Sequence, residues 1–314
     1  MTRFLGIEIG GTKLQLGLGR GDGVISALWR GTVDRAEGGE GIRKQIVAAV
    51  PELLAKANLD RGHLRGVGIG FGGPTDDKSQ TVIKSHHVAG WDGFPLADWI
   101  SDLVGVPAVV CNDADVAGLG EALFGAGKGM SPIFYITVGT GIGGGLIIDG
   151  EIYRGVGKGA AEIGHLLVYD RYRDQRLVIL EETSAGWGIE ATALHLREAG
   201  HWCMGLEAGP ITVKQLAEAA RAGNAEVRGL LDAAVQNLAF GIRQMITLLC
   251  PRRVIIGGGV SLIGEELFFE PIRRYQSERG MGAFAGLTDI VPAALGEEVV
   301  IHGALALARK KLGG

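Results

Sequence analysis

Cysteine is scarce in this sequence: Cys111, Cys203 and Cys250 are the only three, and they lie far apart. An odd number at such spacings supplies neither a disulfide framework nor a metal-ligand pattern, and it fits a reducing compartment. Each reads as a small buried hydrophobe. An excess of basic charge is missing as well. Lysine and arginine number 31 against 35 aspartates and glutamates, a net charge of −4, so neither nucleic acid nor an anionic membrane is expected as the main partner. No basic-then-apolar leader precedes the strand-like segment that begins after Thr2 and Arg3, and the expected location is the cytoplasm. One run of twenty residues without a charge, Gly129 to Ile148, has the length of a membrane span. It also holds six glycines and Pro132 in a strand–turn–strand pattern, so no span is expected. Three common signatures are absent: Gly-x4-Gly-Lys-[Ser/Thr], Gly-x-Ser-x-Gly and His-Glu-x-x-His. A Walker-type phosphate loop is thereby excluded.

Glycine is what the chain has in quantity: 54 of 314 residues, about two to three times ordinary usage. It is interleaved with Val, Ile, Leu and Ala along the whole length, and 314 residues suffice for two domains with cores of their own. The densest stretch is 134–150. An apolar run from Ile133 to Val138 enters a turn with Gly139, Thr140, Gly141, Gly143, Gly144 and Gly145; Leu146 to Ile148 leaves it and meets an Asp149-Gly150 hairpin signal. Such a turn is either a tight hairpin or a cradle in which backbone N–H groups and a threonine hydroxyl converge on phosphate.

The same theme opens the chain. Residues 4–9 read as a strand, Gly10-Gly11-Thr12-Lys13 as a turn, 14–18 as a returning strand, and 24–29 as a third strand of an antiparallel meander. An apolar stripe at 41–57 predicts a helix that Pro51 breaks or kinks. Strands are expected at 64–71 and 106–111, and helices at 95–104 and 114–124, the latter capped by Asn112-Asp113. Farther on, helices are expected near 186–199, 212–221, 225–249 and 298–311. A strand at 253–256 enters Gly257-Gly258-Gly259. Two similar β-then-α halves around a cleft follow from this repetition, the usual setting for a ligand.

Two Gly-x-Gly-x-x-Gly matches, at Gly68–Gly73 and Gly139–Gly144, lack the strand-to-helix context of a dinucleotide site. What remains is three glycine turns after apolar strands, at 10–12, 139–145 and 257–259. Thr12 and Thr140 can donate to phosphate oxygens, and Lys13 either joins them or is solvated. Glu8 is either an ordinary surface residue of an edge strand or a carboxylate set near Mg²⁺. Asp113 is either part of a helix cap or a general base held by Asn112. Glu162 and His165, and later Glu181 or Glu182, can present hydrogen bonds to several hydroxyls, although His165 also suits a structural role.

At these residues the chain resembles the ROK family (repressors, open reading frames and sugar kinases) of the actin/hexokinase-like ATPase fold. Four motifs carry the resemblance in order. The first two are Glu8-Ile-Gly-Gly-Thr-Lys13 and Asn112-Asp-Ala-Asp115 with Gly118-x-Gly120-Glu121. The third runs from Thr137 through the glycine turn, Gly155 and Gly159 to Glu162-Ile-Gly-His165, and the fourth is Ile256-Gly-Gly-Gly-Val-Ser261. The resemblance implies an α/β fold of two lobes, each a mixed sheet with flanking helices. The smaller lobe is expected at 1–115 plus 298–314 and the larger at 116–297. It implies ATP-dependent phosphorylation of a hexose, with glucose at its 6-hydroxyl first and fructose or an N-acetylhexosamine as alternatives, and a homodimer or higher homo-oligomer. Asp113 would be the base; Gly73, Asn112, Asp113, Glu162, His165 and Glu181 would bind sugar. Gly10, Gly11, Thr12, Lys13, Thr140, Gly141, Gly257, Gly258 and Gly259 would hold the nucleotide, and Glu8 would orient hydrated Mg²⁺. Relatives carry a cysteine-rich segment that binds structural zinc, but residues 166–180 contain no cysteine, so no zinc site is expected. His86-His87 precede Gly90-Trp91 where relatives often have Asn, a departure on the sugar side. The family's repressors supply the alternative from another class, a non-catalytic sugar-binding regulator, here without a DNA-binding domain.

Overall fold

The computed structural model describes residues 2–85, 88–173, 175–200 and 209–313. His86, His87 and Cys203 lie outside the described residues. The chain opens with the expected meander, β1 (Arg3–Ile9), β2 (Lys13–Gly19) and β3 (Ile25–Thr32). β1 and β2 pair antiparallel from Phe4 opposite Gly19 to Ile9 opposite Leu14. Alternation sends Leu5, Ile7, Ile9, Leu14, Leu16 and Leu18 to one face, where α1 (Gly38–Lys56) adds Ile42, Ile46, Ala49, Val50, Leu53 and Leu54 to the same core. Pro51 neither breaks this helix nor ends it. A proline inside a helix costs about 3 kcal/mol, and each aliphatic side chain buried around it returns roughly 1.5–3 kcal/mol, so packing overrides the local signal.

β4 (Leu64–Phe71), the short ribbon of β5 (Thr75–Asp76) and β6 (Thr81–Val82), α2 (Leu96–Val104), β7 (Ala108–Asn112) and α3 (Asp113–Phe124) follow. The first sheet has the order β3-β2-β1-β4-β7, with β1, β4 and β7 parallel. β8 (Ile133–Val138), β9 (Ile142–Ile148) and β10 (Glu151–Ile152) form a second meander. Asp149 and Gly150, at φ of +51° and +75°, make the tight hairpin turn that their sequence signals, with Ile148 opposite Glu151. β9 starts at Ile142, not at the expected Leu146. Gly143–Gly145 therefore belong to the strand, and the turn shrinks to Gly139–Gly141. The reason is a close approach: a Cβ on Gly145 would lie 2.8 Å from the Ala114 carbonyl oxygen.

The rest comprises the ribbon of β11 (Leu167–Tyr169) and β12 (Leu177–Ile179), then α4 (Leu180–Ser184), α5 (Gly186–Glu198), α6 (Val213–Arg221), α7 (Ala225–Leu249), β13 (Arg253–Gly257), α8 (Glu270–Arg279), β14 (Asp289–Pro292) and α9 (Val299–Leu312). The second sheet runs β10-β9-β8-β13-β14 with β13 and β14 parallel. Its order repeats that of the first: a three-stranded meander extended by two later strands. The ribbon, α8 and β14 are too short or too polar to show a period in the sequence.

The chain divides into two compact units, residues 1–135, 145–160 and 294–314, and residues 136–144 and 161–293. In the first, α9 packs on β1, β4 and α3, and Ile301, Leu305 and Ala308 cluster with Phe4. The approach is tight enough that a Cβ on Gly68 would lie 1.9 Å from the Ala304 carbonyl oxygen. Gly68 is thus a packing residue, which accounts for the first dinucleotide-like spacing. Cys111 is buried as expected, whereas Cys250 is half-buried and closes α7 at φ +40°. Among the described residues no helix is long and apolar enough to cross a membrane.

Candidate active site

In the first unit, three parallel strands end side by side and each leads into a turn that carries candidate site residues. β1 ends in Gly10-Gly11-Thr12, closed by the Gly10 N–H donating to the Lys13 carbonyl at 2.9 Å and held by Arg35 Nε donating to the Gly11 carbonyl at 2.8 Å. β4 ends at Gly72-Gly73, where the Gly72 N–H donates to the Ile9 carbonyl at 2.8 Å. β7 ends in Asn112, which caps α3: its Oδ1 accepts from the N–H groups of Ala114 (2.9 Å) and Asp115 (3.3 Å). Its Nδ2 donates to the Gly73 carbonyl at 3.2 Å. Asp113 Oδ1 accepts from the Ala114 N–H at 2.8 Å. A Cβ on Gly72 would lie 3.4 Å from Asp113 Oδ2 and 3.6 Å from Gly10 Cα. The structure therefore brings together Gly10, Gly73, Asn112 and Asp113. Capping and site readings are compatible, because the positive end of the α3 dipole favours a carboxylate at its first turn.

Glu8 is not on an edge. β1 is the central strand of its sheet, and Glu8 is 7% exposed. Oε1 pairs with Lys13 Nζ at 3.1 Å, and Lys13 also donates to the Glu297 carbonyl at 3.0 Å, so Lys13 is not merely solvated. Oε2 has no hydrogen-bond partner among the described residues. Burial pushes the Glu8 carboxyl up to about 7; the Lys13 ammonium offsets part of this, and the charges of Asp113 and Glu297 add to it. Gly11 is half-buried and Thr12 exposed at the tip of the turn.

In the second unit the turn after β8 is closed by the Gly139 N–H donating to the Gly141 carbonyl at 2.9 Å, with Thr140 exposed at its tip. The Gly186 N–H, at the start of α5, donates to the Gly139 carbonyl at 2.8 Å. Glu181 Oε2 accepts the Ile142 N–H at 2.7 Å, and a Cβ on Gly141 would lie 2.6 Å from it. Glu182 instead offers its main-chain carbonyl to Arg173. Gly257 and Gly258 follow β13. Gly258, at φ +88°, lies so close that a Cβ would be 2.5 Å from the Val138 carbonyl oxygen, and Ser261 Oγ donates to the Gly258 carbonyl at 2.7 Å. Gly259 is exposed. Glu162 and His165 flank a single turn, joined by the His165 N–H donating to the Glu162 carbonyl at 3.1 Å, and both are exposed. Gly164 in that turn packs on Ile142, where a Cβ would lie 2.2 Å from its carbonyl oxygen. The Leu180 N–H donates to the Leu166 carbonyl at 2.8 Å. Thr140, Gly141, Glu162, His165, Glu181 and Gly257–Gly259 are thus grouped around one strand end.

Sequence reasoning missed Arg154. Its guanidinium donates to Asp77 Oδ1 (2.9 Å), to the Thr75 carbonyl (2.9 Å) and Oγ1 (3.2 Å), and to the Asp115 carboxylate. It thereby ties the segment after Gly73 to the first turn of α3. Asp115 was the available signal: an acid among the apolar residues of a helix, 1% exposed, calls for a buried cation. Among the described residues no group of three or more His, Cys, Asp or Glu side chains could hold a metal ion.

The model of the ROK family matches residues 4–311. A glucokinase of Halalkalibacterium halodurans is 30% identical over 309 residues, covering 96% of this chain and 93% of the relative. The crystal structure of a ROK family glucokinase from Streptomyces griseus in complex with glucose and AMPPNP is 33% identical with a TM-score of 0.78, over 98% of this chain and 99% of that one. A ROK hexokinase from Thermus thermophilus, 25% identical, superposes with a TM-score of 0.80 over 99% of both chains.

Proposed function

We propose that this chain, which belongs to the ROK family, is an ATP-dependent hexose kinase that phosphorylates glucose at its 6-hydroxyl. The observation that carries this reading is the position of Asp113, half-buried at the head of α3, beside Gly72 and the Gly10 turn. A carboxylate there is held by the Ala114 N–H and lies next to a turn suited to phosphate. Asp113 accepts the proton of the sugar hydroxyl while that oxygen bonds to the γ-phosphorus. The bond from the γ-phosphorus to the bridging oxygen breaks, and ADP leaves. Asn112, Gly73, Glu162, His165 and Glu181 orient the hexose. Glu181, not Glu182, is assigned, because its carboxylate reaches the glycine turn. Gly10–Lys13, Thr140, Gly141 and Gly257–Gly259 hold the nucleotide through their amides and hydroxyls.

Glu8 would hold hydrated Mg²⁺ in this reading. The fit rests on its buried Oε2, a carboxylate oxygen with no partner among the described residues. Magnesium would neutralise charge on the transferring phosphates. Glucose is favoured among hexoses by the likeness to the two glucokinases.

The test is Asp113→Asn, assayed for ADP release with Mg-ATP and glucose, and titrated with glucose in a calorimeter. Turnover should fall about 10²–10⁴-fold with glucose binding retained. Unchanged turnover would remove Asp113 from the chemistry.

A further inference from the structure

Gln15 is fully buried, and neither end of its carboxamide has a hydrogen-bond partner among the described residues. It lies on β2 directly opposite Glu8 in the antiparallel register, so the two side chains leave the same face of the sheet a few Å apart. The neighbouring charges are engaged elsewhere. Lys13 is shared between Glu8 Oε1 and the Glu297 carbonyl, and Arg30, opposite Gln15 on β3, pairs with Glu298. Three buried polar atoms on adjacent strands therefore stand without partners: Glu8 Oε2 and both ends of the Gln15 amide.

Such atoms are exceptions in folded proteins and mark a missing water, ion or reacting group. Packing does not require an amide at this position. The preceding pairs on the same face are Gly6 with Gly17 and Phe4 with Gly19, backed by Ile301 and Leu305 of α9. A leucine or methionine would suit that surface without leaving donors and acceptors unpaired.

The chemistry narrows the ligand. A bare divalent cation needs six or more oxygens, and Glu8 Oε2 with Gln15 Oε1 supply two. An anion alone would meet the Glu8 carboxylate. A hydrated cation carried by a polyphosphate satisfies every atom: water on the cation donates to Glu8 Oε2 and Gln15 Oε1, and the amide N–H donates to a phosphate oxygen. The turn that joins the strands of Glu8 and Gln15 is the Gly10–Thr12 turn assigned to phosphate. We propose that Gln15 is a binding residue for the hydrated cation–polyphosphate group of the nucleotide, acting beside Glu8. The proposal rests on the kinase reading above.

The experiment measures Mn²⁺ bound to the protein–AMPPNP complex by electron paramagnetic resonance. It compares wild type with Gln15→Met and Gln15→Leu, and it records the melting temperature of each ligand-free protein. Both variants should bind Mn²⁺ about tenfold more weakly, with ligand-free melting temperatures equal to or above wild type, because an unpaired amide has been removed from the interior. Wild-type Mn²⁺ affinity in the variants would overturn the proposal. So would a lowered ligand-free melting temperature with Mn²⁺ affinity intact, which would make Gln15 structural. A wild-type complex that holds no Mn²⁺ would overturn the kinase reading itself.

Discussion

The two sheets share one strand order but finish it differently. In the first, the last strand β7 runs into Asn112-Asp113 and the capped start of α3, braced by the buried Arg154 cluster. In the second, the last strand β14 ends at Pro292, and its parallel pairing with β13 is supplemented by a partly exposed ion pair, Arg253 with Asp289 at 2.6 Å. The hairpin turns differ in the same way. The strand before Gly10 carries a buried carboxylate, Glu8, two residues ahead of the turn; the corresponding place before Gly139 holds Thr137, and the carboxylate at that turn is Glu181, brought from α4. The shared strand order gives both sheets the same hairpin turns, and the difference at the strand ends is why a general base is assigned to one unit only. Reactive charge needs a rigid, desolvated setting, whereas a turn that offers backbone amides needs little beyond glycine.

Substitutions that erase these differences rank as follows. Arg154→Met removes the cation that Asp77 and Asp115 face, and breaking a buried ion pair of this kind costs about 3 kcal/mol or more. Urea unfolding should show that loss, together with a fall in turnover from the loosened α3 turn. Gly258→Ala forces a Cβ against the Val138 carbonyl at positive φ. A loss of about 2 kcal/mol is expected, with the KM for ATP rising more than that for hexose. Thr140→Val removes one donor from the exposed tip and should raise the ATP KM about fivefold, equivalent to roughly 1 kcal/mol, leaving stability unchanged. The smallest effect belongs to Asp289→Asn. Arg253 holds the Asp289 carboxyl below the usual aspartate range, so the pair stabilises above that range and the contribution is lost as pH falls through it. Because Asp289 is half exposed, the difference at pH 7 should stay under about 1 kcal/mol and vanish in acid. Thermal melts of wild type and variant from pH 7 to pH 2.5 check it.

Much of this was legible in the residues because the signals are local. The meander, the glycine turns after β1, β8 and β13, and the cap at Asn112 are written in neighbouring positions, and the order of the motifs identified the family. Features that depend on distant partners were not legible. Pro51 argued for a break or a kink, and core packing carries the helix through it unbroken. The run Gly143–Gly145 looked like turn and is strand, and its last glycine, Gly145, answers to the proximity of α3. Glu181 reaches an N–H 39 residues away, and Arg154 reaches back to Thr75 and Asp77. Gln15 was visible as a lone polar residue between Leu14 and Leu16, but only the register opposite Glu8 and the missing partners give it meaning.

The measurement that bears most directly on the central claim is phosphorus NMR of the product formed from Mg-ATP and glucose by the purified protein. The account predicts stoichiometric ADP and a phosphate ester on the 6-hydroxyl of glucose. ADP with free phosphate alone, or no ester with glucose, fructose or an N-acetylhexosamine, would contradict it.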